Sequence, residues 1–340
     1  MTSASAHAAD ATPSIDPSLR VAILGTGFAG LGMAIRLREL GHRQFVCYEA
    51  ADDLGGTWRD NTYPGCGCDV PSHLYSFSFA RNPNWSRSFA PQPEILDYMR
   101  DCADRWDLHD AIRFGHEVVS ARYDEAKSTW TLTFSNGRTA EADVVVSGCG
   151  GLSRPVLPTI EGIDDFDGPH FHSARWDHDV DLRGKRVGVI GTGASAIQIV
   201  PSIASEVGEL TVFQRTPPWI LPKADRPLSK TLRSAFAHVP GLQNFHRQQL
   251  YWVMELMVLG MVHEPRLLRA LGVLARRFLR KSVPDPALRR ALTPDYSIGC
   301  KRILFSNDYF RALQRRNVTL ETTGIERVEA RGVRTTDGRL

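Results

Sequence analysis

The sequence predicts an α/β protein in which one strand–helix–strand unit occurs twice, the second copy carrying a helical insertion. Three observations support this. A glycine-rich turn sits between a strand pattern and a helix pattern at Gly25 and again at Gly191. Each unit closes on a strand followed by a charge, Glu49 in the first and Arg215 in the second. Residues 228–292 then switch to helical periodicity, broken at Pro240, Pro265, Pro284 and Pro286.

Residues 1–19 hold Ala, Ser, Pro and Asp, with no basic start and no apolar block, and read as a disordered leader rather than a signal peptide. Residues 20–24 read as a buried strand. They run into Gly25-Thr26-Gly27-Phe28-Ala29-Gly30, then into a helix marked by Met33, Ile35, Leu37 and Leu40 and closed by Gly41. Residues 45–48 form the second strand. Further on, residues 130–134 and 143–146 read as strands, with Asn136-Gly137 as a hairpin signal. Ser147-Gly148-Cys149-Gly150 is a natural crossing into a linker, 151–182.

The second unit repeats the plan. Residues 186–190 are a strand, Gly191-Thr192-Gly193-Ala194-Ser195-Ala196 the turn, and Ile197, Ile199 and Val200 mark the helix. Residues 210–214 are the return strand. After the insertion come Gly299-Cys300-Lys301-Arg302 and a strand at Val318–Glu321. Asp337-Gly338 reads as a hairpin tip whose return strand would follow, so the sequence reads as cut short. The expected organisation is a leader (1–19), a first nucleotide domain (20–150), a linker (151–182), a second nucleotide domain (183–227 and 299–340) and an insertion (228–298).

Composition bounds the rest. The chain has 340 residues, 42% hydrophobic and 23% charged, enough for about two domains with real cores. A net charge of +3 is too small to argue for nucleic acid. Residues 228–292 are locally basic, with eleven Lys and Arg against three Asp and Glu. That reads as a solvated helical face, with a membrane-surface face as the sharper alternative. The longest apolar run, residues 250–262, is too short to span a bilayer, which takes about 20 residues. Six irregularly spaced cysteines make no disulfide framework, which points to a reducing, cytoplasmic setting. Cys66 and Cys68 form C-x-C, read as small packed thiols, and no metal-ligating set is expected.

The glycines have a chemical reason. In each turn the first glycine (Gly25, Gly191) permits a tight bend and the second (Gly27, Gly193) lets backbone approach a pyrophosphate. The third position (Gly30, Ala196) lets helix pack on strand, and the helix N-terminus attracts the anion. Two Rossmann-like dinucleotide-binding domains follow. Glu49 can accept hydrogen bonds from a ribose diol and would repel a 2′-phosphate, whereas Arg215, at the same spacing from its glycine, suits one. The first site therefore reads as FAD or NAD and the second as NADP. A chain holding both would pass hydride from NADPH to flavin.

Phe166, Gly168, His172 and Trp176 have the spacing F-x-G-x-x-x-H-x-x-x-W and precede Asp177. This resembles the fingerprint of the Baeyer–Villiger monooxygenases, class B flavin enzymes that use FAD and NADPH. Residues 55–79, GGTWRDNTYPGCGCDVPSHLYSFSF, look like the family's flavin-contacting segment, and GCKR at 299–302 like the segment supplying its active-site arginine. Family members continue well past position 340, so the resemblance also implies truncation at the C-terminus. It further implies O2 and a ketone as substrates, an ester or lactone as product, and oxygen insertion through a C4a-peroxyflavin. Arg302 and Asp69 match the catalytic arginine and the aspartate that orients it and contacts cofactor. Gly55, Gly56, Thr57, Trp58, Tyr75 and Val118 fall where the family contacts FAD. Ser195, Thr192, Thr216 and Lys301 join Arg215 around NADPH, and His172 and Trp176 are expected to couple the two nucleotide domains. The alternatives are an N- or S-oxygenating flavin monooxygenase and a truncated nucleotide-binding remnant. A dithiol reductase is disfavoured because C-x-x-C is missing.

Overall fold

The computed structural model of the chain describes residues 15–340 apart from Glu264, so the expected leader falls outside it as far as residue 14. Val21–Leu24 (β1) is apolar along its length and nearly sealed from solvent. Helix α1 (Phe28–Glu39) starts at Gly27 and presents Leu31, Ala34, Ile35 and Leu37 inward. Met33 and Leu40, expected on its apolar stripe, point outward, because a 3.6-residue turn through Leu31 and Ala34–Ile35 leaves them on the far side. Phe45–Tyr48 (β2) returns parallel to β1.

Short helices follow at Thr57–Asp60 (α2) and, longer, at Gln92–Arg105 (α3). The strands Ile112–Arg113 (β3), Val118–Asp124 (β4), Thr129–Phe134 (β5), Thr139–Ala142 (β6) and Val144–Ser147 (β7) complete this half. The order β3-β2-β1-β7 is a parallel sheet, and β4-β5-β6 an antiparallel meander that turns at the left-handed Gly137. Leu132, Phe134 and Ala142 of the meander bury against Ala22 of β1.

The second half opens with Arg186–Ile190 (β8), Ala196–Ile203 (α4) and Glu209–Phe213 (β9). Ile220–Leu221 (β10) precedes four helices: Lys230–His238 (α5), Leu242–Val262 (α6), Pro265–Ser282 (α7) and Pro286–Ala291 (α8). Then come Leu304–Phe305 (β11), Tyr309–Ala312 (α9), Val318–Glu321 (β12), Ile325–Glu329 (β13) and Gly332–Thr335 (β14). The sheet β12-β9-β8 is parallel, β10 pairs with β11 across the insertion, and β13 and β14 form a hairpin. The insertion is helical because its prolines fall at helix edges. Pro265 and Pro286 are first residues, where the missing N–H is harmless, and Asp285 caps α8 by accepting from Ala287 and Leu288. The 250–262 run lies in α6. No helix of the described residues is long and apolar enough to cross a membrane.

Contacts divide the chain into two units. One joins the described residues up to Arg59 with Leu96–Arg154; the other joins Asp60–Ile95 with Pro155–Leu340. The grouping of Asp60–Ile95 with the later chain differs from a continuous 20–150 domain. Its reason is a set of bonds invisible to local pattern. The Ser88 N–H donates to the Arg226 carbonyl (2.9 Å), Arg87 pairs with Asp225 (2.8 Å), and Arg247 of α6 donates to the carbonyls of His73 and Leu74 (2.7 and 3.0 Å).

Candidate active site

In the first unit the glycine turn is walled by backbone. Gly25 has φ +91°, and a Cβ there would meet the Gly148 carbonyl at 3.0 Å. A Cβ on Gly30 would lie 1.9 Å from the Gly25 carbonyl oxygen, so helix and strand pack at a distance only glycine allows. A Cβ on Gly56 would sit 3.2 Å from the Gly27 Cα, which places the Gly55-Gly56 turn directly against the cradle. Thr57 is exposed, Trp58 is buried and Val118, opening β4 opposite Phe134, is half-buried.

Glu49 follows β2 and is 5% exposed. Its Oε2 accepts from the Thr26 N–H (2.9 Å) and the Thr26 hydroxyl (2.7 Å), and its Oε1 accepts from the Ala51 N–H (3.1 Å) and Arg59 (2.9 Å). Burial pushes this carboxyl up, but the bonds from Thr26 and Ala51 and the Arg59 charge together hold it below the ordinary carboxylate range. These partners, Arg59 above all, went unseen in sequence. A carboxylate offers about four acceptor positions, so a ribose diol would share or replace one of these donors.

The second cradle is open. Gly191 has φ +108°, and neither Gly191 nor Gly193 would bring a Cβ within 4 Å of a neighbour. Ser195 precedes α4, and Ala196 packs its methyl in the core where the first unit needed glycine. The Thr192 hydroxyl donates to the Thr216 carbonyl at 3.0 Å, tying together the loops after β8 and β9. Arg215 is exposed and has no ion-pair partner among the described residues. Lys301 lies over the Tyr296 ring at 4.8 Å.

Residues 60–79 have little regular structure. Asp69 and Arg302 meet there, with Arg302 Nη2 at 2.5 Å from Asp69 Oδ2. The carboxylate is mostly covered (19% exposed) while the guanidinium is 62% exposed, so one end of Arg302 is fixed and its other faces remain available. Lys223, whose ammonium burial pushes down, feels the Asp69 charge and is a second cation that sequence reading missed. Tyr75 is half-buried in a turn whose backbone bonds to the Pro71 carbonyl. Cys66 and Cys68 are buried thiols, pushed up to about 11 by burial, and all six cysteines are free.

The fingerprint residues have local geometry of their own. The Phe166 ring folds over Gly168, where a Cβ would lie 2.6 Å from the ring. His172 Nδ1 accepts from the Ala174 N–H at 3.0 Å and caps a short turn, and Trp176 stacks edgewise on Phe171 at 5.2 Å. The start of the fingerprint and the residues before it are anchored on the β13–β14 hairpin: the Val328 N–H donates to the Glu161 carbonyl and the Asp167 N–H to the Ala330 carbonyl. The stretch itself reaches the 60–69 segment, through Arg175 to Asp60 (3.7 Å) and His178 to Thr62 (2.8 Å).

The family model for flavin-binding monooxygenase-like proteins matches residues 18–239. A Baeyer-Villiger monooxygenase of Pseudomonas aeruginosa is 50% identical over 328 residues, covering 96% of this chain and 62% of that protein. One from Streptomyces coelicolor is 49% identical, covering 94% of this chain and 62% of its own length. The chain thus spans less than two thirds of these curated relatives. Among solved structures, OTEMO in complex with FAD and NADP superposes with a TM-score of 0.84 at 31% identity, over 96% of this chain and 69% of that one. Oxidized steroid monooxygenase bound to NADP gives 0.82 at 35%, over 95% and 69%. The chain therefore belongs to the flavin-binding monooxygenase-like family and, within it, is similar to the Baeyer-Villiger monooxygenases.

Proposed function

We propose that the chain is the FAD- and NADPH-binding part of a monooxygenase that inserts one oxygen atom of O2 into a ketone, giving an ester or lactone. The observation that carries this is the Asp69–Arg302 pair, a guanidinium held at one end and available at the other. It lies in the same unit as an open glycine cradle flanked by Arg215, which has no ion-pair partner among the described residues. The similarity to enzymes named for this reaction supports the same reading.

The residues present fit both cofactors. The first cradle offers glycine at every position where a Cβ would crowd the turn. The second leaves Gly191 and Gly193 open and supplies the Arg215 guanidinium, unpaired among the described residues, for a 2′-phosphate. FAD, when bound, supplies hydride acceptance from NADPH and activation of O2. The protein's task is positioning and charge. Gly25, Gly27, Gly30 and the N-terminus of α1 receive the FAD pyrophosphate, with Gly56, Thr57, Trp58 and Val118 around the remainder. Gly191, Thr192, Gly193, Ser195 and Ala196 receive the NADPH pyrophosphate, and Arg215, Thr216 and Lys301 its 2′-phosphate. Arg302 stabilises the oxyanion that develops when the ketone carbonyl is attacked. A guanidinium suits that role because it stays protonated beside a basic oxygen. Asp69 holds the fork in one orientation. A cytoplasmic setting belongs to the same proposal and rests on the free thiols.

Dithiol chemistry is disfavoured by the raised thiols of Cys66 and Cys68. The test is direct. The purified chain should take up FAD and turn yellow, and NADPH should bleach it faster than NADH. A colourless chain that refuses FAD would favour a nucleotide-binding remnant. Supplied with O2 and a panel of ketones, the protein should yield esters, and N-oxide or sulfoxide products alone would assign it to the N- or S-oxygenating branch.

A further inference from the structure

We propose that Gln198 is a positioning residue that ties the second nucleotide cradle to the Asp69–Arg302 pair. The proposal rests on the reading of that cradle as the NADP(H) site. Gln198 lies in the first turn of α4, two residues after Ala196, and was not singled out by sequence because it reads as an ordinary polar helix position. Its amide makes three bonds to one short stretch. Oε1 accepts from the Tyr63 hydroxyl (3.1 Å) and from the Gly67 N–H (3.2 Å), and Nε2 donates to the Gly67 carbonyl (3.0 Å). The side chain therefore grips both polar groups of Gly67, as a neighbouring strand would.

The approach is close enough to be specific. Gly65 has φ +79°, and a Cβ there would lie 2.2 Å from Ser202 Oγ and 2.7 Å from the Gln198 carbonyl oxygen. Ser202 in turn donates to that carbonyl at 2.7 Å. Burial pushes the Tyr63 phenol up, so it remains a donor across the working pH range. The backbone on either side of Gly67 is also pinned, with the Cys68 N–H on the Ala90 carbonyl (3.0 Å) and the Gln92 N–H on the Cys66 carbonyl (2.9 Å). Asp69 follows Gly67 by two residues and carries Arg302.

A rigid element with a fixed grip transmits displacement. Any adjustment of α4 as a pyrophosphate settles on its N-terminus moves Gly67, and through two bonded residues it moves the Asp69 carboxylate that aims Arg302. The other end of the segment, at Asp60 and Thr62, is held by Arg175 and His178 beside the fingerprint. Residues 60–69 are thus a junction among the fingerprint, the cradle helix and the proposed catalytic arginine. Coupling of this kind is reciprocal, so what NADP(H) does to the segment the segment does to NADP(H).

The experiment compares hydrogen exchange of residues 63–69 with and without saturating NADP+, alongside calorimetric titration of NADP+ into the purified chain. In the wild type, NADP+ should slow exchange of this segment. Gln198→Ala should bind NADP+ within about threefold of wild type, a change under one tenfold step of 1.4 kcal/mol, yet lose the ligand-dependent slowing. Gln198→Glu, which keeps an acceptor for Tyr63 and Gly67 but removes the donor, should retain part of it. Gly65→Ala lifts the loop without touching the amide and should lose it also, which covers the case of an unstable alanine variant at 198. Slowing that persists in Gln198→Ala and Gly65→Ala, or wild-type binding without slowing, overturns the proposal. Wild-type protein that binds no NADP+ overturns instead the reading of the cradle on which it stands.

Discussion

A methyl group separates the two cradles, and adding it tests both. At Gly30 a Cβ would stand 1.9 Å from the Gly25 carbonyl oxygen, 3.0 Å from its carbon and 3.4 Å from Ile23 Cγ2. Real Cβ contacts stay beyond about 3 Å, well short of the 3.5–4 Å optimum between carbons, so α1 must retreat from β1 by more than an ångström. The obstacle is backbone and no rotamer relieves it. Gly30→Ala should therefore cost at the upper end of overpacking, about 2–3 kcal/mol, a change of roughly 30- to 150-fold in the ratio of folded to unfolded first unit. Gly193→Ala meets nothing within 4 Å and its φ is not in the left-handed region, so it should leave stability within about 0.5 kcal/mol. What it should lose is ligand. A Cβ facing the cradle displaces a pyrophosphate oxygen from a backbone N–H, a charged hydrogen bond of about 1.5–3 kcal/mol, or roughly ten- to hundredfold in NADP+ affinity. Urea unfolding followed by tryptophan fluorescence and calorimetric NADP+ titration read the two effects separately. A Gly30→Ala midpoint equal to wild type would refute the crowding argument, and undiminished NADP+ binding by Gly193→Ala would remove Gly193 from the site.

Arg215→Ala should weaken NADP+ by about ten- to hundredfold, as expected for a charged pair, and leave NAD+ within about twofold; equal losses for both would discard the 2′-phosphate role. Arg302→Ala should still permit NADPH to reduce bound flavin, read as bleaching, while ester formation from ketone stops; normal ester yield would take Arg302 out of the chemistry. His73 is 4% exposed, and burial, reinforced by His246 and Arg247, depresses it from 6.5 to about 4. A histidine depressed on folding contributes stability above its unfolded value that is lost as pH falls through the folded one, here across about 6.5 to 4, up to about 3 kcal/mol at 1.36 per unit. His73→Gln should flatten that limb in unfolding midpoints measured across it, and an unchanged slope would show the ring is not held neutral. Glu49 is likewise depressed, so its contribution is full above 4.5 and lost below it. Glu49→Gln should remove this acid-limb loss, and a variant with the wild-type profile would count against the four-donor arrangement.

Local pattern made much of the fold legible. The two glycine turns, the strands beside them and the helical insertion all follow from periods and punctuation that need no partner to be read, and prolines 265 and 286 open helices as their chemistry demands. What stayed hidden depends on long-range pairing. Nothing in residues 60–95 announces that they belong with α6 and the 223–228 stretch, because Arg87–Asp225 and Arg247 on the His73 carbonyl join residues some 140 to 170 positions apart. The hairpin β13–β14, which anchors the start of the fingerprint and the residues before it, was missed because its strands are short and charged. In the site, Asp69 and Arg302 are 233 positions apart and were paired only through the family resemblance. Arg59 and Gln198 carried no signal, since an arginine in a short turn and a glutamine on a helix are unremarkable until their acceptors are in place.

The duplicated motif has diverged in a way that fits two modes of cofactor use. In the first unit the turn is enclosed by Gly148, Gly56 and its own helix, all by backbone, and the acid beside it is saturated by Thr26, Ala51 and Arg59. Backbone walls of this kind resist rearrangement, which favours a group that binds once and stays. In the second, Gly191 and Gly193 face open space, and Arg215 is exposed without an ion-pair partner among the described residues. A charge in that condition binds phosphate without first breaking a pair, and an open crevice releases it as readily, which favours a group that must exchange every turnover. If the first cradle holds FAD and the second NADP(H), as proposed above, one glycine plan would serve retention in the first unit and exchange in the second, and the difference lies in what surrounds it. Ala196 marks the change most economically. Where α1 must lack a Cβ to press on β1, α4 keeps a methyl in the core.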